Sequence, residues 1–343
     1  MELDKNEWKT VKKVLAEWQE QGSITKEKAQ ELRKGVELKR TDNQQIAQYF
    51  FLVALSCILL AFGAIFIDDK VLERLRIYFS LSNIVIAVLA AAVSVLWFWY
   101  VRKKRANLSK TAYEIYLVVG ALASLISLTY ICKETGFGGK YSGFLFAASV
   151  LLFSLSAGFR SRFLWVAGIL GLMGFYGAIT NLYSVEDKFL GMNYPIRFSL
   201  FGLVLLGLSL LQMQRNIWPE TERISFVMAM LILFTGLWGV SIFGNYNDLS
   251  EWAKVRQSQV LVYGLIFGLA AAASFWLGIK YRDDAARDMG IFFLLANLYT
   301  RYFEFFWDNM NKGIFFVILA ASFYAVGRWL EKGRRKKVDK LTS

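Results

Sequence analysis

Histidine is absent from the 343 residues, and cysteine and proline occur only twice each. Without imidazole there is no His-ligated haem, no Ser–His nucleophile pair and no imidazole proton relay. Cys57 lies inside one apolar run and Cys132 at the end of another. Two scattered thiols build neither a thiolate metal site nor a disulfide framework. No metal and no cofactor is therefore expected. Nucleotide signatures are missing as well: there is no G-x-x-x-x-G-K-[ST], and no G-x-G-x-x-G opening a helix after a strand.

Apolar residues are what the chain has in excess. Its hydrophobic share is 56%. Counting the 26 Gly in place of the 16 Tyr gives about 59%, against ~45–50% for a soluble domain. Runs near 20 residues recur from Tyr49 to Leu330, each long enough to cross a hydrocarbon core about 30 Å thick. The expected class is an all-α integral membrane protein. The net charge of +13 then points to anionic lipid headgroups rather than to nucleic acid.

Residues 1–48 differ from the rest, holding 19 of the 67 charged side chains and no apolar run. That is not a signal peptide, which needs an apolar core near its start. Trp8, Val11, Leu15 and Trp18 recur at three- and four-residue spacing, the mark of one helix face. Gly22 is placed to stop that helix, and Thr25 to cap a second one carrying Ala29, Leu32 and Val36. A cytosolic helical hairpin is expected, packed on a second copy or on the membrane domain because it buries little alone.

Ten spans, with eight as the alternative, are expected across the membrane domain, 49–331: about 49–67, 77–101, 113–132, 141–159, 163–183, 196–213, 224–244, 259–280, 289–307 and 314–330. Short loops make consecutive spans antiparallel hairpins. With the N-terminus inside, 29 of the 40 Lys and Arg fall on the inner side, including residues 1–48 and the basic tail 332–343. Both termini are therefore expected in the cytosol. Arg102, Lys103, Lys104 and Arg105, with Arg334, Arg335, Lys336 and Lys337, would set that topology and touch anionic headgroups.

A basic hairpin with Trp18 and Gly22-Ser-Ile-Thr25 thus precedes many short-looped spans. Near the end come Asn297-Leu-Tyr-Thr-Arg301-Tyr-Phe-Glu304-Phe-Phe-Trp-Asp308 and, later, Gly327-Arg-Trp-Leu-Glu331 before the basic tail. In these features the chain resembles the bacterial predicted-membrane-protein family called domain of unknown function 2157. The resemblance implies a multi-pass protein of the cytoplasmic (inner) membrane. It supplies no activity and no catalytic or binding residue.

The ninth span holds the most informative constellation. Asn297, Arg301, Glu304 and Asp308 fall within about a 60° arc of one helix. Counted from Met289, Asn297 lies about 12 Å along the span and Arg301 about 18 Å. An arginine near mid-bilayer costs roughly 2.5–3.5 kcal/mol unless paired or hydrated, and Glu304 is its evident partner. The stripe is either a polar solute path or an internal pair that binds helices together. Asn181, near the end of the fifth span, is a candidate to join it from another helix.

Gly168, Gly171, Gly174 and Gly177 repeat every third residue along the fifth span, a face on which a neighbouring helix can pack closely. Glu114 and Arg197 open the third and sixth spans and are expected at interfaces, their long side chains reaching water.

Three functions remain. A non-enzymatic component that carries or scaffolds a small or lipidic solute fits the stripe and the absence of a catalytic set. An envelope enzyme acting on a lipid-linked substrate would use outer carboxylates such as Asp68 and Asp69. A sensor or assembly partner would work through the hairpin of residues 1–48, which could also join two copies. A continuous polar cavity reaching the stripe from either face would separate transport from assembly, and Asp68 or Asp69 lining such a cavity would mark the enzyme.

Overall fold

The computed structural model describes residues 82–137, 141–255, 257–307 and 310–322, with positions 2, 3, 11, 14, 15, 17–19, 21, 24, 25, 28, 37, 38, 53, 54, 56, 57, 324 and 328. Contacts divide the chain into two compact units, Met1–Glu134 and Thr135–Ser343.

In the first unit, α1 (Asn83–Lys104) starts where the Ser82 hydroxyl accepts from the Val85 N–H at 3.4 Å. It ends on Arg102, Lys103 and Lys104, cations that suit the negative end of a helix. Ser109 caps α2 (Lys110–Thr135), accepting from the Ala112 N–H at 3.2 Å. In lipid, apolar side chains gain nothing by leaving their solvent, so packing and interhelical hydrogen bonds join the helices. Here Ser94 meets Ser124 at 2.6 Å, Ser127 donates to the Ala87 carbonyl at 2.8 Å, and the Trp97 indole donates to the Tyr116 carbonyl at 2.7 Å.

Upstream, Val11, Leu15 and Trp18 are helical; Leu15 is buried and Trp18 is exposed. The Thr25 hydroxyl accepts from the Lys28 N–H at 3.3 Å, the geometry of a helix cap. Glu2–Leu3 pairs in parallel with Glu37–Leu38, a strand contact that helical periodicity does not announce. Trp8, Gly22, Ala29, Leu32 and Val36 lie outside the described residues.

The second unit contains α3 (Ser142–Phe159), α4 (Arg162–Leu182), α5 (Tyr194–Arg215), α6 (Pro219–Phe243), the single turn α7 (Leu249–Trp252), α8 (Gln257–Lys280), α9 (Asp284–Phe306) and α10 (Lys312–Ser322). Both prolines sit in first turns, Pro195 of α5 and Pro219 of α6, where the missing N–H costs no helical bond. The pairs α3–α4, α5–α6 and α8–α9 are antiparallel hairpins, and α6 also packs on α4, α8 and α9. Its Phe226, Met230 and Phe234 meet Phe267 and Ala271 of α8 and Ala286 and Phe293 of α9, with Phe234 stacked on Phe293 at 5.1 Å. On another face, Ile232 meets Trp165 and Ile169 of α4.

Seven of the described helices are long and apolar enough to cross a membrane, where the apolar runs led us to expect ten. The first expected span, 49–67, lies outside the described residues except for four helical positions. The ninth exists as α9, 23 residues long, but Asp284, Arg287, Asp288, Asn297, Arg301 and Glu304 make it too polar to qualify. The tenth is described only over Lys312–Ser322, too short to cross.

Candidate functional site

Asp283 starts α9 by accepting from the Ala286 N–H at 2.8 Å, and it forms a two-pronged ion pair with Arg223 of α6. Arg223 holds the Asp283 carboxyl below the usual carboxylate range. From that anchored end α9 runs as an unbroken helix, so Asn297, Arg301 and Glu304 share a face. Asp308 lies outside the described residues.

That face meets α8 at two glycines with the same four-residue spacing. A Cβ on Gly268 would come 2.7 Å from the Asn297 amide nitrogen, and one on Gly264 would come 3.3 Å from the Arg301 guanidinium. The absent side chains make room for the polar ones. The Asn297 amide donates to the Gly264 carbonyl at 3.0 Å. Arg301 and Glu304 form an ion pair, Nη2 to Oε1 at 2.9 Å and Nη1 to Oε2 at 2.5 Å, with only 14% and 18% of the two side chains exposed.

Arg301 also closes the end of α6. A helix leaves its last four carbonyls without intrahelical partners, and all four of α6 find one. Val240 accepts from the Gly244 N–H at 2.8 Å and Phe243 from the Tyr246 N–H at 3.3 Å. Ser241 accepts from Arg301 at 2.7 Å, and Ile242 from the Trp252 indole at 2.8 Å. A cation here also suits the negative end of the helix dipole.

Beside this junction, between α6, α7 and α9, lies a cavity of about 410 Å³. Trp238, Trp252, Tyr299 and Phe303 wall it, and Thr300 and Glu304 complete the lining. The Trp238 indole donates to the Thr300 hydroxyl at 2.9 Å. Glu304 therefore belongs both to the buried ion pair and to the cavity lining. Sequence reading missed Gly264, Gly268 and the tryptophans. The matching spacings of Gly264/Gly268 and Asn297/Arg301 were the available signal.

The remaining candidates sit elsewhere. Asn181 is exposed at the C-terminal end of α4, where its side chain accepts from Ser184 at 3.4 Å; it is not part of the Arg301 junction. Gly168, Gly171 and Gly174 face Phe153, Ser149 and Leu145 of α3, and Gly177 faces Phe198 of α5. Arg102–Arg105 are exposed at the end of α1. Arg334–Lys337, Asp68 and Asp69 lie outside the described residues. Among the described residues, no three carboxylates or thiols converge as metal ligands would.

Arg197 corrects an expectation. It does not reach water but is fully buried. Its guanidinium donates to the Thr180 hydroxyl at 3.2 Å and to the Asp187 carbonyl at 3.0 Å, and lies 3.9 Å from the Tyr194 ring centroid. Burial follows from the segment 184–193, which folds over it in two tight turns closed by the bridges Val185–Lys188 and Phe189–Met192. Asn193 fastens that segment to the end of α6, donating to the carbonyls of Gly244 (2.9 Å) and Tyr246 (3.2 Å). Asn245 and Asn247 return bonds to the Gly191 and Glu186 carbonyls. Glu114, by contrast, is half-buried near the start of α2.

Residues 16–165 match the model of the family described as "Predicted membrane protein (DUF2157)". The matched stretch includes Trp18 and Gly22–Thr25 and ends early in α4, short of the Arg301 junction. Over that stretch the resemblance drawn from the sequence holds, and the chain is a multi-pass membrane protein. No curated protein and no solved structure matches it.

Proposed function

We propose that this chain is a non-enzymatic inner-membrane protein that binds a small or lipidic solute beside Glu304, for transport or as a scaffold. The supporting observation is the cavity of about 410 Å³ lined in part by Glu304, whose carboxylate is paired with Arg301. Its size falls within the range of small-molecule sites, and its aromatic walls with one charged group match their usual lining. Around it we propose ten spans with both termini cytosolic, α9 counting as a span because its two central charges neutralise each other. The basic segments Arg102–Arg105 and Arg334–Lys337 would rest on anionic headgroups. The exposed Trp18 of the hairpin would meet a second copy.

The test is rescue of cells lacking the protein, read through their lipids and small metabolites. The double variant Arg301→Gln with Glu304→Gln carries no charge at the junction. It should accumulate in the membrane like wild type yet fail to restore the profile. Full rescue would refute a solute site at Glu304.

A further inference from the structure

We infer that a second cavity, between α4, α5 and α6, holds one hydrocarbon chain of a membrane phospholipid. This goes beyond the reading above, because the two cavities share no lining residue. The second one has a volume of about 380 Å³. Leu170 and Met173 of α4 and Phe198 of α5 line it together with a strip of α6 from Met228 to Gly239. The α6 residues recur at three- and four-residue spacing and so share one helix face. Hydroxyls come only from Thr235 and Tyr194; every other lining residue is apolar or glycine. Leu170, Leu231 and Thr235 are exposed, which leaves the trough open along one side.

Its dimensions fit a chain of one leaflet. From Met228 to Gly239 α6 rises about 16 Å, against about 15 Å for half of a hydrocarbon core. Spread over that length, the volume gives a section of about 23 Å². One extended chain fits such a trough, whereas a helix of a second copy, about 10–12 Å across, does not. The trough also ends where a headgroup belongs. A Cβ on Gly239, one turn before the end of α6, would meet Pro195 in the first turn of α5 at 3.3 Å. Past Tyr194 and Pro195, a smaller pocket of about 200 Å³ continues to Asn247 and Asp248 in the turns beyond the helices.

Lipid tails are as apolar as these walls, so escape from water drives nothing here. Contact decides instead: in the trough a chain touches side chains of three helices, while on an open face it touches far fewer atoms.

The full-length protein is reconstituted in phosphatidylglycerol vesicles containing a little phosphatidylglycerol with a diazirine midway along one chain. After irradiation, the labelled residues are located by mass spectrometry. Residues 170–173 and 228–239 together should carry about fivefold more label than the exposed stretch 203–211 of α5. Thr235→Trp and Leu170→Trp fill the trough from exposed positions on two different helices, and each should remove that excess. Leu203→Trp adds the same ring at an exposed position outside the trough and should leave the excess unchanged. Even labelling of all exposed faces would overturn the inference, reducing the lipid to an ordinary annulus. So would an excess that survives both filling variants. A dimer in native mass spectra that Thr235→Trp abolishes, without excess label in the wild type, would give the trough to a second copy instead. None of these results bears on the Glu304 cavity, which the rescue experiment judges separately.

Discussion

Gly264 and Arg301 share one small volume: a Cβ built on the glycine would stand 3.3 Å from both Cζ and Nε of the guanidinium. Arginine enters the bundle where α8 offers backbone alone, and from there it reaches the Ser241 carbonyl of α6 and the carboxylate of Glu304. Three helices are joined through one side chain.

Removing that side chain should be costly. Arg301→Gln leaves Glu304 largely buried without its cation and takes the donor from Ser241, an expected loss of about 3–5 kcal/mol. Adding Glu304→Gln should recover at least half of it, because no charge is then stranded. Unfolding in detergent, followed by circular dichroism on both variants, checks this. Equal stability of the single and double variants would refute the buried-pair account.

The glycines should rank by what lies opposite them. Gly202→Ala drives a Cβ into the backbone of Leu233, which cannot swing away, so a loss of about 1–3 kcal/mol is expected. Gly268→Ala meets only the movable Asn297 amide and should cost about the hydrogen bond to Gly264, near 1 kcal/mol. The same unfolding assay orders the two, and the reverse order would contradict the packing described.

Asn193 is 1% exposed and serves three partners, capping α5 through the Ile196 N–H at 3.2 Å while holding the Gly244 and Tyr246 carbonyls. Asn193→Ala should destabilise by about 2–4 kcal/mol. It should also speed hydrogen exchange in 184–193 and 244–247 together. Faster exchange in only one of the two segments would show that they are not fastened as described.

Asp283 should contribute a distinct acid response. Its folded carboxyl titrates below the ordinary range because Arg223 holds the charged form. The associated stability is therefore present above the unfolded value near about 3.9 and is lost as pH falls through the lower folded value. Asp283→Asn keeps a capping acceptor but cannot titrate, so its unfolding temperature should fall less steeply with acid than that of wild type. Parallel curves for the two proteins below about pH 4 would count against the pair.

The helices of the membrane domain were legible because apolar runs of near-spanning length are hard to read otherwise. Asn297, Arg301 and Glu304 were legible because helical spacing alone puts them on one face. The cavity was not, since Trp238 and Trp252 come to Thr300 and Glu304 from some 50 to 60 residues away. Arg197 misled for a related reason. Its burial depends on Glu186, Asp187 and Leu190 taking left-handed backbone conformations that composition does not announce.

The completed end of α6 sets how this part of the molecule can move. Its last four carbonyls are tied to the chain that follows, to α7 and to α9. Sliding α6 along its axis by one turn, about 5.4 Å, would break the two bonds that other helices make to it, from Arg301 and Trp252. A piston stroke therefore costs this helix both interhelical bonds at its end. Rotation of α9 about the Arg301 contact leaves the Trp252 bond intact, so a pivot of α9 against α6 disturbs fewer bonds than a slide of α6.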